Sequence, residues 1–321
     1  MTSRAAEICA LLAGLCVAAP AAAQATRAPL AGTNWVLVWS DDFDGPAGHG
    51  VDPTSWRIDS TDGCARGICG WGNQEKEYYS GAPENLALDG RGHLMIVARR
   101  AQAGLTCYYG PCRYTSAKIT TRGKVEAGPG RVEARIMLPA GQGLWPAFWL
   151  LGADFPGTPW PDCGELDIME NHGSNPLSTS SAIHGPGYFG NTPFVHAATL
   201  TRGSFADDFH TFGVVWDSLR VQFLVDDSLH YTVERREVEH HGRWVFDQPF
   251  FIILNLAVGG TFDGDPKSDA VFPATMVIDY VRVYRATGGA HRPSPVARRP
   301  SPIAHRPSLL TTVAPGHSHP S

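Results

Sequence analysis

Between Trp160 and Asn171 the chain reads Trp160-Pro-Asp-Cys-Gly-Glu165-Leu-Asp167-Ile-Met-Glu170-Asn, which places three carboxylates within six residues, separated by apolar side chains. Successive side chains of an extended strand point to opposite faces, so Glu165 and Asp167 share one face while Leu166 and Ile168 point behind it. Strict alternation would carry Glu170 to the apolar side. One extra residue near Met169, taken up as a β-bulge, resets the count and returns Glu170 to the acidic face. Three acids on one face of a buried strand repel one another and raise one another's pKa, an arrangement that folding rarely needs. Retaining hydrolysis of a glycosidic bond does need two neighbouring carboxylates in opposite protonation states, about 5–5.5 Å apart. One attacks the anomeric carbon; the other protonates the leaving oxygen and later deprotonates water. Glu165 and Glu170 are the candidates, with Asp167 between them to help hold the protonation states apart. The ordinary alternative is a solvated acidic edge, but the interleaved Leu166, Ile168 and Met169 and the flanking Trp149 and Trp160 argue for burial.

The elements that must position these acids read as strands. Arg131-Val-Glu-Ala-Arg-Ile-Met-Leu138 alternates, with Val132, Ala134, Ile136 and Leu138 on one face, and 219–225 and 276–284 behave alike. Residues 250–257 are nearly all apolar, as in a strand covered on both faces. No stretch holds a 3.6-residue period over three turns, and 35 glycines and 25 prolines punctuate the 321-residue chain. With 43% apolar residues there is material for a sizeable core, and many short strands predict an all-β sandwich.

The acidic block resembles the signature of family 16 glycoside hydrolases, in the bulged form with Met before the last Glu that is typical of bacterial endo-β-1,3-glucanases (laminarinases). The similarity extends in order through Val38-Trp-Ser-Asp-Asp42-Phe-Asp-Gly, Gly70-Trp-Gly-Asn-Gln-Glu75, Tyr114-Thr-Ser-Ala-Lys-Ile-Thr, Gly130-Arg-Val-Glu-Ala-Arg-Ile, Gly141-Gln-Gly-Leu-Trp145-Pro-Ala-Phe-Trp149, Asn255-Leu-Ala-Val-Gly-Gly and Asp279-Tyr-Val-Arg-Val-Tyr284. It implies a β-jelly-roll of two curved antiparallel sheets with a concave substrate cleft. It also implies substrate contacts from Trp145 and Trp149, from Asn85 on the glycone side and from His184 near the cleavage point. Asn255 either contacts sugar or braces the catalytic strand. After Val-Gly-Gly, where laminarinases often carry Trp, this chain has Thr261-Phe262-Asp263, a smaller platform at the outer glycone subsites. No cofactor is required for catalysis. Many relatives hold a structural calcium, for which the ligands here would be Asp42, the Gly92 carbonyl and Asp279; oxygen donors of this kind suit that ion.

The termini and cysteines speak to compartment. Residues 1–23 combine Arg4, an apolar run over 8–19 and Ala21-Ala22-Ala23, the pattern of a secretory signal. That run is too short to span a membrane. In an exported protein, Cys64 with Cys69 and Cys107 with Cys112 read as two local disulfides, leaving Cys163 as a buried free thiol. The catalytic domain is expected over 24–286. Residues 287–321 hold seven prolines and a near-repeat of period seven (His291-Arg-Pro-Ser-Pro, Arg298-Arg-Pro-Ser-Pro, His305-Arg-Pro-Ser), a disordered composition. Residues 1–23 are charge-balanced and that tail carries four arginines, so the chain's formal −5 becomes −9 over 24–286. An acidic core argues against nucleic acid. The expected partner is a neutral β-glucan met outside the cytoplasm by a monomer, with no membrane insertion after signal cleavage. Competing readings are hydrolysis of mixed-linkage glucan or of a galactan such as agarose, glycosyl transfer, and non-catalytic glucan binding; a binding module has no use for two crowded acids.

Overall fold

The computed structural model describes residues 34–267 and 272–287. The expected signal, 1–23, and the expected tail beyond Thr287 lie outside the described residues.

The strands carrying the acidic block form an eight-stranded sheet: β1 (Arg57–Ile58), β2 (Lys118–Thr120), β3 (Glu126–Ala127), β4 (Leu144–Gly152), β5 (Glu165–Asn171), β6 (Ser178–His184), β7 (Phe194–Thr199) and β8 (Phe250–Val258). Their spatial order is β7-β6-β5-β4-β8-β2-β1, with β3 paired to β8, and every pairing is antiparallel. A ten-stranded sheet packs behind it, built around the strand Ala274–Ala286, which pairs with Trp35–Asp41, Arg131–Met137 and Leu94–Arg100. This is the all-β sandwich expected from the alternating runs. Among the described residues helix is confined to the single turn Arg235–Val238 and two short 3-10 turns.

The core lies between the sheets. Val132, Ala134 and Ile136 reach it from one side, and Phe148, Leu150, Leu166, Ile168, Ile252, Leu254 and Leu256 from the other. Each large apolar side chain so buried contributes roughly 1.5–3 kcal/mol. All nine residues of β8 are buried. Its alternate residues Phe251 and Ile253 form a second, smaller cluster on the sheet's outer face with Leu151 and Cys163, capped by Trp149 and Phe155. That double covering explains why β8 shows no alternation in sequence.

Candidate active site

The three acids stand on the face of β5 turned away from the core. Glu165 lies opposite Leu151 of β4 and His184 of β6, Asp167 opposite Trp149 and Ala182, and Glu170 opposite Ala147 and Ser180. The register slips between Asp167 and Glu170, where Ile168 has no counterpart on β4. Ile168 and Met169, though adjacent, both enter the core. This is the bulge that the spacing required, and it sets Glu170 beside the other two acids.

Around the acids the polar contacts are few. His184 Nε2 stands 3.1 Å from Asp167 Oδ2 and 3.9 Å from Glu165 Oε1. The first contact is close but not aligned as a hydrogen bond, and His184 Nδ1 is buried without a partner. The Trp145 indole Nε1 donates to Glu170 Oε1 at 3.0 Å. Burial is the main influence on all three carboxyls. It lifts Glu165 well above the usual range, helped by the charges of Asp167 and Glu170 and opposed by His184 and the Trp160 indole. Asp167 rises to about 7 through burial, against a hydrogen bond with Glu165. Glu170 rises to about 8 through burial and the Asp167 charge, against His184 and Trp145. Three buried acids this close cannot all ionise, so the cluster retains protons at neutral pH.

The aromatic residues flank the acids from β4. Trp145 stacks on Phe262 with ring centroids 4.5 Å apart, and Phe262 stacks on His172 at 3.8 Å. Phe262, a smaller platform than Trp, is thereby backed by two further rings. Trp149 Nε1 donates to Asn255 Oδ1 at 2.7 Å, and Asn255 Nδ2 donates to the Tyr79 hydroxyl at 3.2 Å. Both ends of the amide are used within the protein, which makes Asn255 a brace for Trp149. The Tyr79 hydroxyl in turn donates to Glu75 at 3.2 Å.

This network behind Trp149 was not anticipated from sequence. Glu77, raised well above the usual range by burial and by Glu75, accepts from the Val258 amide at 2.7 Å. Lys118 is buried with its ammonium 4.0 Å from the Trp71 ring centroid and 4.9 Å from that of Trp149. The alternation of Glu75, Glu77 and Tyr79 was a usable signal for one face of a strand. The pairing of Lys118 with Asn255 across β2 and β8 had no local signal.

Two expectations need correction. Asn85 is only 2% exposed, and its amide donates to the Val97 carbonyl at 2.8 Å and to Thr115 Oγ1 at 3.1 Å. It ties strands together and does not present itself to a ligand. Of the expected calcium ligands, Gly92 does lie against the Asp42 carbonyl. The carboxylates, however, are engaged by arginine, Asp42 by Arg282 at 2.9 Å and Asp279 by Arg135 at 2.7 Å. The anionic donors calcium would take are already neutralised, so this set does not fit the ion. Among the described residues, His, Asp and Glu ligand atoms converge at Glu165, Asp167 and His184, the acid cluster itself.

Cys64–Cys69 and Cys107–Cys112 form disulfides, as the spacing indicated. Cys163 is free and fully buried, its thiol pushed up to about 12 by burial and the Glu165 charge. It behaves as a small hydrophobe beneath the site.

Comparison with known proteins places this geometry. Residues 70–282 match the family model for glycosyl hydrolases family 16. A β-glucanase of Rhodothermus marinus is 40% identical over 260 residues, covering 78% of this chain and 86% of that protein. The endo-β-1,3-glucanase of Pyrococcus furiosus superposes with a TM-score of 0.75 at 45% identity, over 81% of this chain and 97% of its own. The laminarinase catalytic domain of Thermotoga maritima superposes at 0.74 with 44% identity, over 78% and 98%. With the jelly-roll, the bulged acid strand and a family match across most of its length, the chain belongs to the glycosyl hydrolases of family 16.

Proposed function

We propose that this enzyme is an exported retaining endo-hydrolase of β-1,3-glucosyl bonds in β-glucan, with Glu165 as nucleophile and Glu170 as acid/base. The observation that carries the reading is the bulge in β5, which sets Glu165, Asp167 and Glu170 on one face beside Trp145 and Trp149. The β-1,3 linkage rests on the likeness to the Pyrococcus and Thermotoga enzymes.

The order of the two acids in the family signature underlies this division of roles. His184 and the Trp160 indole oppose the rise of Glu165, whose carboxyl burial nonetheless lifts well above the usual range. Glu170, held up to about 8, keeps its proton for the glycosidic oxygen. In the first step Glu165 attacks the anomeric carbon while Glu170 protonates the departing oxygen. Glu165 is then esterified and its charge is gone, so Glu170 ionises more easily and becomes the base that takes a proton from water. Asp167, in contact with Glu165 and His184, holds the nucleophile's neighbourhood polar without joining the bond changes. The chemistry needs two carboxyls and water, and no cofactor. Export rests on the composition of 1–23 and fits the two disulfides.

Chemical rescue tests the assignment. Glu170→Ala, given a substrate with a good leaving group and azide, should yield the β-glycosyl azide, whereas Glu165→Ala should show no such retaining rescue. An α-azide from Glu170→Ala would exchange the two roles.

A further inference from the structure

The bulge that sets Glu170 beside Glu165 interrupts the hydrogen-bond ladder of β5. Asp167 pairs with Ala182 of β6 and Glu170 with Ser180, so Ile168 and Met169 together face the single residue Ser181. The extra residue of a bulge loses its regular ladder partner, and a buried carbonyl left unpaired is costly. Here a side chain fills the gap. Ser181 is 2% exposed, and its Oγ donates to the Ile168 carbonyl at 2.7 Å. By alternation Ser181 shares its face of β6 with the buried Thr179 and Ile183, the face turned to the core. A hydroxyl is tolerated there only when it is bonded.

The opposite sheet holds that hydroxyl in turn. His230, on the edge strand Ser228–Glu234 of the ten-stranded sheet, places Nε2 3.2 Å from Ser181 Oγ. The hydroxyl has one proton and the bond to Ile168 uses it, so the imidazole donates from Nε2. Its other nitrogen, Nδ1, is buried without a partner, which suits the unprotonated atom of that tautomer. Burial and the neighbouring His196 hold the His230 imidazole down to about 4, so it is neutral near pH 7. A relay thus runs from His230 through Ser181 to the backbone of the bulge. Past the bulge, the Asn171 amide donates to the carbonyls of Asn175 and Ser178 at 3.2 and 2.7 Å. That pins the end of β5, and the break in the ladder is where the strand has room to shift.

We infer that Ser181 and His230 are positioning residues for catalysis: they lock the bulge from the core side and so fix the spacing of the Glu165 and Glu170 carboxyls. The inference rests on the reading of those two acids as the reacting pair. A retaining displacement works within a narrow carboxyl separation of about 5–5.5 Å, and a misplacement of about 1 Å costs up to about a hundredfold in rate. Neither Ser181 nor His230 stands on the acidic face, so neither touches substrate. The expected sugar contacts Trp145 and Trp149 lie on β4, away from the relay. Loosening the bulge therefore lowers kcat and spares KM.

Ser181→Ala should lower kcat on laminarin about ten- to a hundredfold with KM unchanged. Ser181→Thr, which keeps the hydroxyl, should restore most of that loss. His230→Phe keeps a ring but no donor and should lower kcat in the same way, while His230→Gln, which returns an N–H near the place of Nε2, should recover it. If Ser181→Ala does not fold, His230→Phe carries the test, because it leaves the hydroxyl in place. Azide rescue of Glu170→Ala separately reports which acid plays which part. An exchange of those parts leaves the spacing requirement intact, so failure of the role assignment and failure of the lock are distinguishable. Melting temperatures lowered in Ser181→Ala and His230→Phe with kcat unchanged, at an assay temperature below both, would overturn the inference. So would a loss of kcat that neither Ser181→Thr nor His230→Gln restores.

Discussion

Glu170 keeps its proton near neutrality because burial and the Asp167 charge outweigh the opposing influences of His184 and of the N–H that Trp145 offers it. That has consequences for both activity and stability. The unfolded chain would ionise this carboxyl near the ordinary value of about 4.3. Between that pH and about 8 the folded protein therefore binds more protons than the unfolded one, and stability falls as pH rises through the window. Glu170→Gln keeps an acceptor for Trp145 and removes the titration. It should lower kcat on laminarin by about 10²–10⁴-fold. It should also raise stability at pH 8 by about 1–2 kcal/mol, seen as a higher melting temperature and a flatter dependence on pH. The parent enzyme should give a bell-shaped profile of kcat/KM. Its acid limb should lie above the usual carboxylate range, because Glu165, the proposed nucleophile, is raised and would have to ionise to attack. Its alkaline limb, near 8, belongs to the cluster as a whole and should disappear in Glu170→Ala assayed with an activated leaving group.

At the scale of elements, the bulge in β5 couples packing to chemistry. Ile168 and Met169 enter the core side by side, and only because they do can Glu165 and Glu170 share the opposite face. Met169→Ala should cost about 2–4 kcal/mol through the cavity it leaves. It should also lower kcat more than it changes KM, because the strand between the two acids loses its anchor; a drop in melting temperature with kcat intact would detach the bulge from catalysis. This device was legible from residue types and counting alone, since two acids that must face the same way stand an odd number of positions apart, at 165 and 170. So was the alternation of Arg131–Met137, a strand with a single buried face. Other features were not legible, for one physical reason. Asn85 looked like a sugar ligand, but the groups that occupy its amide, Val97 and Thr115, lie 12 and 30 residues away. Asp42 and Asp279 looked like free calcium ligands until the sheets brought Arg282 and Arg135 beside them. The Trp149–Asn255–Tyr79–Glu75 chain joins three separate segments. Hydrogen-bond partners supplied across the fold leave no local pattern, whereas periodicity does.

At the scale of the whole molecule, the question is which polymer the face around β5 accepts. The acidic balance of 24–286 disfavours a polyanionic chain and leaves neutral polysaccharides. Among these, cellulose is a flat, straight ribbon, while a β-1,3-glucan turns at every linkage. The aromatic groups here do not form one level row. Trp145 with Phe262 stands at the Glu170 end of β5 over β4, and Trp160 with Phe189 at the Glu165 end beside β6. A bulged strand adds local twist between them. The likeness to the Pyrococcus and Thermotoga enzymes favours the turning chain. Initial rates of reducing-end release should therefore be highest on laminarin, lower on mixed-linkage glucan, whose β-1,4 stretches straighten the chain, and absent on cellulose. Products from laminarin should first appear as the β-anomer by NMR. Faster release from agarose than from laminarin would overturn the β-1,3 assignment while leaving the fold and the acid pair as described.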